Sequence, residues 1–181
     1  MKLLLISICA LASLAAQDKA IDVQRSSITI HVGKAGLFSA AGHEHWINAP
    51  ISSGVYNESA LRIEFTVKSA RMEVKPDPKV DAKTQADIQK DMQEMTLEST
   101  KYPDIVFRSS KVAGASAQWM VEGALSLHGV TKMVRTNVKK TGDSYTGRIT
   151  IKQTDFGIKP ITVGGGLIKV KDELEIEFQI R

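Results

Sequence analysis

Cysteine is nearly absent from this chain: its 181 residues include one, Cys9, which lies in the first apolar segment. A single cysteine excludes a disulfide framework within the chain and any metal site built from several thiolates. Aromatic residues are also scarce, at 6%, and the formal net charge is only +4. The lysines and arginines are spread along the sequence, so it predicts no nucleic-acid or membrane-surface tract.

Long apolar runs are missing as well, except at the N-terminus. After a single lysine the chain continues with the apolar segment Leu3–Leu14 and then with small residues. This pattern is typical of a secretory signal peptide. The segment is too short to cross a bilayer as a helix, which takes ~20 apolar residues. We predict a signal peptide over residues 1–16, cleaved between Ala15 and Gln17; an anchor that stays uncleaved is the alternative.

Cleavage at this place would leave one domain over residues 17–181, with no cysteine and no transmembrane anchor. We therefore expect a periplasmic or secreted protein. An exported chain without disulfides must depend on its hydrophobic core. At 43% hydrophobic and 24% charged residues, the composition is that of an ordinary globular protein. The sequence leaves the oligomeric state undetermined.

Most of the domain alternates between apolar and polar residues with a period of two, which indicates half-buried β-strands. Residues 61–68 and 173–180 are the clearest examples. Each places leucine, isoleucine and phenylalanine on one face and charged or polar residues on the other. The pattern predicts about eight strands. Such strands can close into a barrel or stack as a sandwich, and the alternation does not separate the two.

One helical segment interrupts the strands. The breaker cluster Lys75–Lys79 precedes it, and Thr84–Asp87 fits a capping box. Ile88, Met92 and Met95 then recur at helical spacing and form an apolar stripe. The sequence thus predicts an all-β fold with one short helical insertion. Its methionines would either pack on the strands or cover a flexible apolar ligand.

Four segments, taken together in their order and spacing, resemble one known family. They are Ile21–His31, Met95–Ser109 with its Lys-Tyr-Pro, Val121–Lys132 with its Gly-Val-Thr-Lys, and Thr154–Ile158. The chain resembles the YceI-like family of bacterial exported lipid-binding proteins over nearly the whole domain. It departs from that pattern at Met133, where a proline is expected, and in the helical segment, which lacks the His- and Arg-bearing pattern of many members.

The resemblance implies an extended, antiparallel, lipocalin-like β-barrel with an apolar interior. It also implies a non-enzymatic role, namely binding, storage or transport of an isoprenoid lipid such as a polyprenyl phosphate or a quinone-type tail. We expect no cofactor besides this ligand. The physical argument for such a ligand is that each buried CH₂-sized group gains about 0.8 kcal/mol.

The apolar inner face should hold the lipid tail, and the polar residues near the barrel mouth should meet its head group. The predicted ligand-binding residues are Phe38, His43, His45, Trp46, Phe65, Met92, Met95, Phe107, Leu125, Leu127, Phe156 and Phe178. The alternative is that the phenylalanines fill a packed interior without a cavity. A filled barrel of that kind would act through protein partners.

His43 and His45 lie two residues apart and therefore on one face of a predicted strand. Three interpretations stay open: contact with a ligand head group, a hydrogen-bonded structural cluster, or half of a metal site. A third metal ligand would have to come from elsewhere in the chain, with His31 and His128 as candidates; we otherwise expect these two to be solvated or turn residues. A metal-responsive or redox-associated protein that uses the pair is the alternative function.

No pattern in the sequence indicates catalysis. The chain has no G-x-S-x-G and no visible pairing of a nucleophile with a base. The run Gly164–Gly166 does not follow a strand and open a helix, so it predicts a turn and not a phosphate-binding loop. We therefore predict no catalytic residue, no resident metal and no enzymatic activity.

Overall fold

The computed structural model of the protein describes residues 17–36, 44–163 and 168–181. The predicted signal peptide, Phe38, His43 and Gly164–Gly166 lie outside these residues. The described strands are β1 (Lys19–Ala20), β2 (Ser27–Ala35), β3 (His45–Asn48), β4 (Ile51–Asn57), β5 (Arg62–Lys68), β6 (Glu73–Val74), β7 (Asp104–Ala115), β8 (Gln118–Leu127), β9 (Val130–Thr141), β10 (Ser144–Lys152), β11 (Thr162–Val163) and β12 (Ile168–Ile180). The helical elements are α1 (Ala82–Asp91), the π-helical turn Met92–Thr96, and the 3₁₀ turns Ser69–Arg71 and Thr154–Phe156.

The strands form one curled antiparallel sheet in the order β1-β4-β5-β7-β8-β9-β10-β12-β2-β3-β6, with β11 paired to β12. In this order β3 and β4 lie near opposite ends of the sheet, yet only Ala49 and Pro50 separate them in the chain. The Ala49 amide donates to the carbonyl of Ile28 on β2, at 2.9 Å. Proline has no amide to donate to a ladder, so pairing with β2 ends there.

The backbone thus joins the two ends of the sheet, and the curled sheet encloses an interior like a barrel. This confirms the predicted all-β, lipocalin-like fold. The strand count is corrected from about eight to twelve within the described residues. Eight strand positions do surround the interior when β3 and β4 are taken as one bent strand. The sequence pattern missed β1, β6 and β11 because two residues are too few to alternate.

The inner face of the barrel carries the predicted apolar set. On β12, Leu174, Ile176, Phe178 and Ile180 belong to or pack against the core, whereas Glu173, Glu175 and Glu177 are exposed. The long strands β2, β5, β8 and β10 follow the same alternation. The fold therefore places one apolar row from each strand towards a common interior.

The N-terminal segment covers the seam beside β4. The Ile21 amide donates to Gly54 on β4 at 2.9 Å, and the Asp22 amide donates to the carbonyl of Arg181 at 2.6 Å. The Ile21 side chain is buried. Asp18 accepts a hydrogen bond from the Asn57 side chain and forms an ion pair with Arg62, the first residue of β5. This segment therefore connects β4 to the end of β12 through hydrogen bonds.

Helix α1 begins at Ala82, two residues before the predicted capping box. Asp81 is its N-cap and accepts from the amides of Lys83 and Thr84, both at 3.0 Å. The Thr84 hydroxyl donates to the same carboxylate at 2.6 Å, so it does not cap a helix of its own. In the described part of the chain, no helix has the length and apolar character needed to cross a membrane.

Glutamine side chains attach the helical segment to the barrel. Gln89 accepts from the Val74 amide at 2.8 Å and donates to the Met72 carbonyl at 2.9 Å. Gln93 donates to the carbonyls of Ser69 and Met72, at 3.1 and 2.9 Å. No residue of α1 is fully buried and Ile88 packs only partly buried against the core, so these amides add to a small apolar contact.

We expect Gln93→Ala to lower the free energy of unfolding by about 1–3 kcal/mol, because it removes two hydrogen bonds to backbone carbonyls, each worth about 0.5–1.5 kcal/mol. Urea denaturation of the folded protein measures this difference. Lys90→Ala is the matched control, since Lys90 lies on the exposed side of the same helix. Equal stability of the two variants would show that the glutamine contacts do not hold the helical segment.

Candidate ligand-binding cavity

The barrel encloses a cavity of about 630 Å³. This lies within the range of about 300–1,000 Å³ that is usual for small-molecule sites. Inward side chains of all the long strands line it, together with Ile88 and Met92 of the helical segment. Most of these side chains are aliphatic or aromatic, and the polar ones lie towards the two ends. The arrangement suits an elongated apolar ligand with a polar end.

Seven of the predicted ligand-binding residues line this cavity. They are His45, Phe65, Met92, Phe107, Leu125, Leu127 and Phe178. Each lies on an inward position of its strand, or on the barrel side of the helical segment in the case of Met92. The alternation of the strands therefore predicts the inward direction of the strand residues among them.

Three other predicted residues do not line the cavity. Trp46 follows His45 on β3, so the strand turns it outwards, where it is 44% exposed. Met95 is 67% exposed because the chain winds into the wider π-helical turn after Met92. Phe156 is only 1% exposed and is packed inside the protein next to its 3₁₀ turn. Phe38 and His43 lie outside the described residues.

His31 and His128 are held by side-chain contacts. His31 stacks on Trp46 with ring centroids 4.5 Å apart, and its Nε2 lies 3.2 Å from Glu44 Oε2. His128 has a positive φ of 52° at the β8–β9 turn and contacts the ring of Tyr102. No group of three or more His, Cys, Asp or Glu side chains in the described segments could hold a metal ion. Because His43 lies outside them, the alternative of a paired-histidine metal site stays untested.

Two phenylalanines lie flat on the cavity wall because a glycine faces each ring. Gly147 on β10 is opposite Phe178, and a Cβ at Gly147 would overlap the ring atom Cζ of Phe178. A Cβ at Gly123 would likewise lie 2.6 Å from Cζ of Phe107. Rings that rest over glycine occupy the space of the missing side chain. They therefore leave the middle of the barrel open.

One end of the cavity is aromatic, and sequence analysis did not assign it. Tyr56, Trp119 and Tyr145 line this end and contact each other, with centroids 5.7 Å apart for the two tyrosines and 6.0 Å for Trp119 and Tyr145. The alternation of β8 and β10 would have indicated the inward direction of Trp119 and Tyr145. It could not have shown that Tyr56 meets them from across the barrel. We call this the aromatic end.

An ion pair lies over the aromatic end. Lys140 Nζ donates to Glu58 Oε2 at 3.0 Å and lies 5.0 Å from the centre of the Tyr145 ring. The ammonium of Lys140 holds the pKa of Glu58 below its ordinary value. Burial raises the pKa of the Tyr145 hydroxyl. The charged groups of this end are thus engaged with each other.

The opposite end carries α1 and is named the helical end. Lys34, His45 and Lys169 line the cavity there, as do Thr84 and Asp91 of the helix. Register places them together, since β3 pairs His45 with Val32 and β12 pairs Lys169 with Ala35. The two lysines were not predicted as site residues, because a charged residue at a strand end usually points to solvent.

Comparison with known proteins gives the family and the fold. A family model described as YceI-like domain matches residues 20–181. BcnA from Burkholderia cenocepacia is 18% identical with a TM-score of 0.58, and the match covers 88% of this chain and 98% of BcnA. No protein with a curated description matches significantly.

A second similar structure is a polyisoprenoid binding domain from Saccharophagus degradans implicated in plant cell wall breakdown. It is 13% identical with a TM-score of 0.62, and the match covers 89% of this chain and 95% of that domain. At these identities the two structures establish the shared fold alone.

We expect Gly147→Ala to destabilise the protein by about 1–3 kcal/mol, because the new methyl group and the Phe178 ring overfill one place. Phe178→Leu in the same chain should recover part of this loss. Urea denaturation of both single variants and the double variant gives the coupling. Additive effects would mean that the glycine does not make room for the ring.

We also predict that protonation of Glu58 lowers the stability of the protein in acid. Folding lowers the pKa of Glu58 from about 4.5, so its stabilising effect is present above that value and is lost as pH falls through the folded pKa. Between neutral pH and about pH 3.5, the wild type should lose more unfolding free energy than Glu58→Gln. Glu173→Gln, an exposed control, should behave like the wild type. Indistinguishable pH profiles for all three proteins would contradict the prediction.

Proposed function

The chain belongs to the YceI-like family, and we propose that it binds an isoprenoid lipid in its barrel without catalysing a reaction. The ligand would be a polyprenyl phosphate or a quinone-type lipid, carried or stored outside the cytoplasm. The observation that carries the proposal is the apolar cavity of about 630 Å³. The likeness in fold to a domain described as polyisoprenoid binding supports it.

The cavity supplies binding energy by burying the tail. Each CH₂-sized group removed from water gains about 0.8 kcal/mol, so a prenyl tail of several units needs few polar contacts. The lining suits a branched, flexible chain, since Phe65, Phe107 and Phe178 offer flat faces and Met92 adapts its shape. These side chains hold the tail in the proposed complex.

The head group lies at the helical end in this proposal. Lys34, His45 and Lys169 line the cavity there and can contact phosphate or quinone oxygens. The charged groups of the aromatic end are paired across the barrel, so that end suits the tip of the tail. Helix α1, with no buried residue of its own, covers the head-group end.

The proposed place of action is the periplasm or the exterior. It is supported by the sequence of residues 1–16, which has the charge, apolar segment and small residues of a signal peptide. In this account the signal is removed and the barrel itself acts without a membrane anchor.

Native mass spectrometry of the exported protein, purified without denaturation, tests the proposal. We expect a mass that corresponds to cleavage near Gln17, with an adduct of several hundred daltons that extracts into organic solvent. Leu125→Trp, which fills the cavity, should abolish the adduct. Met133→Trp on the outer surface is the matched control and should retain it.

A bare polypeptide that also takes up no added prenol or quinone would contradict the proposed function. Equal adduct levels in the Leu125→Trp and Met133→Trp variants would contradict the proposed location of the ligand. Circular dichroism confirms that both variants keep the β-sheet fold.

A further inference from the structure

The aromatic end closes the barrel across its width. Tyr56 comes from β4 and Tyr145 from β10, and the strands β5, β7, β8 and β9 separate them along the sheet. Their rings nevertheless meet edge to face, with centroids 5.7 Å apart. Trp119 on β8 adds a third ring at 6.0 Å from Tyr145. Three strands from different sides of the barrel thus supply one floor, which we call the aromatic floor.

Paired charges border the aromatic floor, and one of them, Glu58, also lines the cavity. Glu58, in the β4–β5 turn, accepts from Lys140 on β9 at 3.0 Å and lies 3.7 Å from Lys19 Nζ. Lys19 and Lys140 also lie over the rings of Tyr56 and Tyr145, at 5.9 and 5.0 Å from the ring centres. Each ring therefore has an ammonium on one side, which is a favourable cation–π contact.

An apolar chain that passed the floor would have to separate these contacts. It would break the aromatic contacts and place hydrocarbon next to an ammonium and a carboxylate. These charged groups would lose hydration without gaining a hydrogen-bond partner, which costs free energy. A chain that stops at the floor instead contacts the rings of Tyr56, Trp119 and Tyr145. The free energy of binding should thus rise with chain length only until the tip reaches the floor.

We propose that the aromatic floor is a length gauge: Trp119, with Tyr56 and Tyr145, limits how long a linear prenyl chain the barrel accepts. This inference rests on the proposed function, and it adds the residues that select among its ligands. The helical end carries Lys34, His45 and Lys169, to which the proposed function assigns the head group, so the tip of the chain meets the floor. Trp119 contributes the largest side chain of the floor, and its removal makes the most room.

The test is a binding series of linear all-trans prenols that differ by one isoprene unit. In the wild type the affinity should increase with each unit up to a cut-off length and fall beyond it. In Trp119→Ala the cut-off should move by at least one unit. The first prenol beyond the wild-type cut-off should bind the variant at least about tenfold more tightly, since several CH₂-sized groups regain a buried place.

Trp46→Ala is the matched control, because it removes the other tryptophan from the outer surface. Its cut-off should equal that of the wild type. Trp119→Leu, which keeps an apolar side chain, serves as a second variant if Trp119→Ala does not fold, and it should move the cut-off in the same direction.

A second readout uses the fluorescence of Trp119 itself. In Trp46→Phe, Trp119 is the one tryptophan left in the chain. Its emission should change only with prenols long enough to reach the floor, and the change should begin at the length just below the cut-off. A response that is equal for the shortest and the longest prenols would overturn the gauge.

The outcomes separate the two proposals. Failure of every prenol to bind the wild type would contradict both the proposed function and the length gauge. Tight binding without a cut-off in chain length would contradict the length gauge alone. A cut-off that is the same in the wild type, Trp119→Ala and Trp119→Leu would do so as well.

Discussion

The bend between β3 and β4 is the constraint on which the rest of this structure depends. At Ala49 and Pro50 one strand leaves β2 and begins to pair with β5, so that the backbone carries the sheet around a common interior. A curled sheet with one apolar face must direct that face inwards, away from water. The eight strand positions around the interior then define a space that their side chains do not fill.

That space stays open because the bulky side chains rest on the wall. Phe107 and Phe178 lie over Gly123 and Gly147, where any other residue would push the rings inwards. The two ends of the cavity differ in chemistry. Polar and cationic side chains line the helical end, whereas three contacting rings and an ion pair close the other. In the proposed function, this asymmetry gives an elongated ligand one orientation.

Much of this fold could be predicted from the sequence, since a period of two in residues such as Leu174–Ile180 sets which side chains face the interior. The structure places Phe65 and Leu125 on the cavity wall, as that period predicts. Met95 is exposed, because a π-helical turn changes the helical phase without a signal in the residue types. Trp46 is exposed as well, and its alternation with His45 on the strand agrees with that direction.

The aromatic floor could not be predicted for a different reason. Contact of Tyr56 with Tyr145 depends on how far the sheet curls, and the curl is a property of all the strands together and not of any local pattern. The same holds for Lys140 and Glu58, which are 82 positions apart in the chain. Local periodicity gives the direction of a side chain, while the partner across the barrel follows only from closure.

A crystal structure of the exported protein, purified without removing bound lipid, tests the central claim most directly. The account predicts continuous elongated density inside the barrel, with its wider end beside Lys34 and Lys169 and its tip at Trp119. Phe107 and Phe178 should remain flat against the wall. A barrel without such density, with the two phenylalanine rings turned inwards to fill the interior, would contradict the account.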